Sequence, residues 1–169
     1  MSTAVSRMGR PTGAVGGAKE RANGDAIAFL RADHRQLIST LAALRKSRAT
    51  VRRRARAQRL CSALRIHLLL EEELFYPAYL VATGNERVHH VAEVEHALLR
   101  SLIDKLEKTS VEDAYFPALV QVLTAVLTRH VETKEQRRGM FAEARRSTLE
   151  LLELGENLRQ RHQTLREKH

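Results

Sequence analysis

The sequence predicts an all-α protein: an up-down-up-down antiparallel four-helix bundle with a short additional C-terminal helix and a disordered N-terminal arm. Three observations carry that prediction. The 169 residues include three prolines and no tryptophan, Leu, Ala, Arg and Glu are abundant, and the glycines gather mostly in the first 24 positions. Apolar residues recur at alternating three- and four-residue steps in four long segments, and no segment shows the two-residue period of a strand. The connections between those segments are short, which makes sequence neighbours antiparallel. A chain of this length buries a core without staples. Its one cysteine, Cys61, excludes an internal disulfide, reads as a small core residue and fits a reducing, cytoplasmic location.

Residues 1–24 mix Gly, Ala, Ser, Thr and Arg without an apolar block, so this arm is expected to carry neither a signal-peptide core nor a fold. No stretch approaches the ~20 apolar residues of a membrane span, and no membrane partner is expected. The bundle is expected over 25–146, and a helix covering it over 147–169.

Asn23 or Asp25 suits the cap of the first helix, whose inner stripe is Ile27, Leu30, His34, Leu37, Leu41 and Leu44. A basic segment follows. Arg45, Lys46, Arg48, Arg52, Arg53, Arg54, Arg56 and Arg59 stand without an acid among them and supply much of the net charge of +9. Lacking aromatic interleaving, the segment reads first as a solvated connection at one end of the bundle. Through Arg52, Arg53 and Arg54 it also offers an alternative function, a metal-deficient bundle that binds nucleic acid or a protein partner.

The second helix carries Leu60, Leu64, His67, Glu71, Leu74 and Ala78 on one stripe, with Glu72 and Glu73 to the side. A kink is expected at Pro77 and a turn at Thr83-Gly84-Asn85. The third helix, about 88–106, follows Ala92, His96, Leu99, Ile103 and Leu106. His89 and His90 lie ~10 Å from His96 at ~1.5 Å per residue and read as surface or helix-start residues. The fourth runs Phe116, Val120, Leu123, Leu127 and His130, then meets Lys134 where an inward carboxylate is expected. Glu135, five residues past His130, is turned ~140° away from it and joins only through a long side chain or a helix distortion. Ser147 and Glu150 form a capping-box pattern for a short terminal helix on Leu151, Leu154, Leu158 and Leu165.

Each of the four helices thus places a histidine on its inner stripe, and two add a trailing carboxylate. A buried imidazole or carboxylate is costly unless compensated. Backbone carbonyls could satisfy each histidine separately, but one shared metal ion explains all of them together. Imidazoles with a minority of carboxylates suit iron, zinc, copper or manganese, and a bridging Glu allows two ions ~3.5–4 Å apart. A mononuclear zinc or iron site of structural role is the simpler variant.

Asp33-His34-Arg35, His67 and Glu71 in the run ending Leu74-Phe75-Tyr76-Pro77, Val94-Glu95-His96, and His130-Val131 followed by Met140-Phe141 together resemble the hemerythrin family, specifically the HHE cation-binding domain proteins. The resemblance runs from about Asp25 to Arg146. It implies a four-helix bundle holding a non-haem di-iron centre whose members bind oxygen, sense oxygen or iron, or handle nitric oxide and peroxide. Iron is the implied metal, with zinc or manganese as substitutes. Matching positions imply His34, His67, Glu71, His96 and His130 as ligands, and Glu135 matches the histidine–carboxylate spacing of the fourth helix. Many HHE proteins have a Glu pair beginning where this chain has Lys134. Oxygen carriers have a further histidine where this chain has Ala92, which implies more open metal positions and redox reactivity over plain carriage.

Overall fold

A computed structural model describes residues 24–168, and the arm expected over 1–24 lies outside them apart from Gly24. The described residues form helices α1 (Ala26–Arg45), α2 (Thr50–Leu70), α3 (Tyr76–Thr83), α4 (Glu86–Lys108), α5 (Phe116–Glu135), α6 (Met140–Ala144) and α7 (Leu151–Lys168). One π turn, Glu71–Phe75, joins α2 to α3 in a continuous rod. α1, the α2–α3 rod, α4 and α5 form the four-helix ring, and α7 lies along α1 and α2.

The ends follow local chemistry. Asp25 caps α1 by accepting from the Ala28 N–H at 2.8 Å, and Asn85 caps α4 through Val88 at 3.3 Å. Gly84 ends α3 in the left-handed conformation, φ 64°, that a side chain disfavours. Gly155 lets α7 approach the start of α1, since a Cβ there would lie 2.9 Å from the Ala26 nitrogen. Among the described residues no helix is long and apolar enough to cross a membrane.

Three local expectations are corrected. The basic segment is not a connection: Arg52 to Arg59 belong to the opening turns of α2. Arg53 donates to the carbonyls of Ser47 and Val111, and Arg56 to that of Ala43, so guanidinium groups satisfy backbone oxygens of neighbouring segments. Secondly, the second-helix stripe does not continue through Leu74 and Ala78, which are only half-buried. In the π turn the Tyr76 N–H reaches back five residues to the Glu71 carbonyl, and the extra residue rotates Phe75, Tyr76 and Tyr79 into the core. Pro77 makes no break, because it falls in the first turn of α3, where a missing N–H costs little. Thirdly, Ser147 does not cap the terminal helix. Its hydroxyl donates to Ala144 O and accepts from Leu149 N, closing α6, while α7 runs over Leu151–Lys168, where the terminal helix is expected.

The core is layered along the bundle axis. One apolar layer holds Leu37, Leu41, Leu64, Leu99, Leu123 and Leu127 with their neighbours. The other holds Ile27, Leu30, Phe75, Tyr79, Phe141 and Leu158. Between them, along every helix of the ring, the same stripe passes through polar residues.

Candidate metal centre

His34, His67, Glu71, His96, His130 and Lys134 form this polar slice, and none is more than 2% exposed. The inner nitrogens gather about Glu71. His96 Nε2 lies 2.9 Å, His130 Nε2 3.3 Å and His67 Nε2 3.5 Å from Glu71 Oε2, while His34 Nε2 lies 3.8 Å from Oε1.

The outer nitrogens meet a ring of acids, each sent by the neighbouring helix. Asp33 of α1 accepts from His67 Nδ1 at 2.8 Å, and Glu72 of the π turn accepts from His96 Nδ1 at 2.7 Å. Glu95 of α4 sits 3.8 Å from His130 Nδ1, and Glu135 of α5 closes the circle on His34 Nδ1 at 2.7 Å. An ionised carboxylate can only accept, so these bonds place the proton of a neutral imidazole on Nδ1 of His34 and His67, whereas His96 faces carboxylate oxygens at both ring nitrogens, Glu72 at Nδ1 and Glu71 at Nε2. The Nε2 lone pairs of His34 and His67 then face inward, ready to ligate. The same bonds set the charge. Burial works against protonation of His34, but Glu135 and then Glu71 outweigh it and raise its pKa. The His34 bond in turn holds Glu135 below the ordinary carboxylate range.

Lys134 is the foreign charge in the slice. Its ammonium lies 3.1 Å from His130 Nδ1 and 3.4 Å from Glu71 Oε2. Burial favours a protonated Glu71, but Lys134, then His67 and His130, overcome it and hold the carboxyl well below its usual range. Burial, and then Lys134, push His130 well down and keep its ring neutral. Burial lowers Lys134 itself, opposed by Glu71. The Tyr76 hydroxyl donates to Glu71 Oε2 at 3.0 Å and stands 2.8 Å from His96 Nε2.

Two atoms in the slice, His34 Nε2 and Glu71 Oε1, have no hydrogen-bond partner among the described residues and face each other at 3.8 Å. Buried polar atoms are normally satisfied, and here each could bind an ion. His34, His67, Glu71 and His130 offer donor atoms all within 4.8 Å of one another. Opposite ligands ~2.0–2.1 Å from one shared ion are ~4 Å apart, so a small inward movement closes the set. The residues present therefore fit a bound transition metal.

Of the residues expected as ligands, His34, His67, Glu71, His96 and His130 come together. Glu135 is brought to the outer side of His34 rather than to the interior. His90 is exposed, and His89 is half-buried with its ring edge toward Tyr76; with Glu93 they form a separate surface cluster. Sequence reasoning left Asp33, Glu95 and Tyr76 without a role. The signal for the first two was present, since each is the acid directly before a stripe histidine, but it supports the histidine of the next helix, not its own neighbour. Tyr76 was hidden by the π turn, which no periodicity argument anticipates.

These features define a helical bundle with an imidazole–carboxylate cluster across its axis that could hold a metal ion. The model of the hemerythrin HHE cation-binding domain matches residues 25–144, and the chain belongs to that family. A solved structure of a hemerythrin HHE cation-binding domain-containing protein from Mycobacterium kansasii shares the fold, with a TM-score of 0.70 at 21% identity over 86% of this chain and 89% of that one. No curated protein matches the chain.

Proposed function

We propose that the chain holds iron in the histidine slice and that this centre binds, senses or reduces a small diatomic molecule, O2 or NO, or peroxide. The observation that carries the reading is the pair of buried donors without a hydrogen bond, His34 Nε2 and Glu71 Oε1, within a four-donor cluster. Bound iron supplies a redox-active Lewis acid with exchangeable positions; zinc or manganese would fit the same donors without equivalent redox chemistry.

The residues have separable tasks. His34, His67 and Glu71 supply the donors nearest the unsatisfied position, with His130 within reach. Asp33 and Glu135 fix ring orientation and tautomer of His67 and His34, Glu72 orients His96, and Arg100 in turn holds Glu72. Leu68, Leu99 and Leu127, all fully buried, keep water from the adjoining layer. Burial and Glu71 push the Tyr76 hydroxyl well above its ordinary pKa, so it retains its proton and acts as a donor at the edge of the site. A cleft of about 240 Å³ on the α4–α5 side includes Arg87, Ala92, Lys134 and Arg138 in its lining and meets the slice at Lys134. The small Ala92 leaves this cleft wider than a histidine would. Of the three arginines on which the binding-module alternative rests, Arg53 is engaged by backbone carbonyls, while Arg52 and Arg54 are exposed.

The test is anaerobic reconstitution with ferrous iron, followed by elemental analysis and optical spectra on adding O2, peroxide or NO. The expected result is bound iron and a ligand-dependent spectrum in the wild type, both lost in His67→Ala. Wild type that retains no metal, or a variant with the same spectrum, would overturn the reading.

A further inference from the structure

The polar slice repeats itself along the chain. Asp33, His34, His67, Glu71 and Glu72 in the first half answer to Glu95, His96, His130, Lys134 and Glu135 in the second. In each half an acid directly precedes a stripe histidine. In each, the next stripe histidine is followed four residues later by an inward residue and five residues later by an outward acid. The outward acids do equivalent work, Glu72 on His96 and Glu135 on His34. The inward residues do not correspond: Glu71 is a carboxylate and Lys134 an ammonium.

The hydrogen bonds follow this division in part: His67 Nε2 crosses it to lie 3.3 Å from His130 Nε2, but the free donors fall on one side. There His34 Nε2 and Glu71 Oε1, 3.8 Å apart, have no hydrogen-bond partner among the described residues. On the other, His96 Nε2 stands 2.8 Å from the Tyr76 hydroxyl and 2.9 Å from Glu71 Oε2, and the Lys134 ammonium stands 3.1 Å from His130 Nδ1. Lys134 also lies 5.2 Å from the Tyr76 ring centre and 3.4 Å from Glu71, so its charge is paired and packed within the slice. A divalent ion entering the His96–His130 side would meet a like charge at close range and find no second inward carboxylate.

We propose that the Lys134 side chain takes the place of a second metal, so that the chain binds one ion, on the side of His34, His67 and Glu71. This rests on the metal-site reading above and narrows it from the two ions that the family resemblance implies. The pseudo-twofold correspondence also identifies the change that should restore a second position, Lys134→Glu, which makes the two inward residues alike.

The test is iron stoichiometry after anaerobic loading with excess ferrous iron and removal of free metal, with electron paramagnetic resonance of the oxidised protein. One iron per chain and an uncoupled half-integer-spin signal are expected for the wild type. Lys134→Glu should take up two, with the signal diminished by coupling. Lys134→Gln removes the charge with little change in size and should take up a second, weaker equivalent if the Glu variant fails to fold. Two irons per wild-type chain would overturn the proposal while leaving the functional reading intact; a wild type that binds none would overturn both. Folded variants that stay at one equivalent would overturn the role given to Lys134.

Discussion

The two apolar layers and the slice between them occupy one continuous seam with one periodicity, yet they contribute to the molecule differently. Leu64, Leu99, Leu123 and Leu127 leave nothing unsatisfied; they are held by burial alone. Three residues after Leu64 and Leu127, and three before Leu99, the same stripes reach His67, His130 and His96. There the interior becomes imidazole, carboxylate and ammonium, whose removal from water must be compensated by one another. A helical stripe specifies what is buried, not whether the buried group stabilises the fold. The apolar layers hold the helices at the spacing that lets the slice keep donors it would otherwise lose to water.

The sharpest contrast is expected when Glu71 is removed. In metal-free protein Glu71→Ala leaves the Lys134 ammonium buried without its carboxylate and should cost about 3–5 kcal/mol. Adding Lys134→Met should recover much of that loss, which chemical denaturation of the single and double variants checks. An apolar counterpart, Leu123→Ala, should cost about 2–5 kcal/mol through lost burial and a cavity. It should leave metal content per folded chain unchanged, so a fall in metal content would show that the layers are not separable.

The apolar layer also has a pH signature. Burial pushes the Cys61 thiol up to about 12. Its folded pKa lies above the unfolded thiol value of ~8.5, so its contribution to stability is intact below that value and is lost as pH rises toward the folded one, at about 1.4 kcal/mol per unit. The stability of Cys61→Ala should therefore fall less steeply than that of the wild type between these limits, and native Cys61 should resist alkylation at a pH of about 8. A smaller effect is expected outside both regions: Asp25→Ala removes the cap of α1 and should cost about 1 kcal/mol in thermal unfolding, with no change in the slice.

Most of this contrast was legible in the residues. Stripes from Ile27 to Leu44, from Ala92 to Leu106 and from Phe116 to His130 follow ideal helical steps, so periodicity places both their leucines and their histidines. It fails after Glu71, because a π turn inserts one residue that hydropathy alone does not reveal, and periodicity places Leu74 and Ala78 where the structure buries Tyr76 and Tyr79. The supporting acids were harder to recognise for a different reason. Asp33, Glu95 and Glu135 act across helix pairs, and a single-helix projection shows only which way each leaves its own helix. The five-residue step from His130 to Glu135 looked like a poor ligand spacing. The identical step from His67 to Glu72 shows it to be the spacing of an acid that reaches the histidine of another helix.

The central claim is that the slice is unsatisfied until an ion binds. It is tested most directly by thermal unfolding of metal-free protein titrated with ferrous iron under anaerobic conditions, beside the double variant His34→Ala, His67→Ala. A ligand present at about a hundred times its dissociation constant stabilises the native state by about 2.7 kcal/mol. The wild type should show a rise in Tm that saturates with added metal, and the double variant none. Equal shifts in both proteins, or no shift in the wild type, would contradict the account.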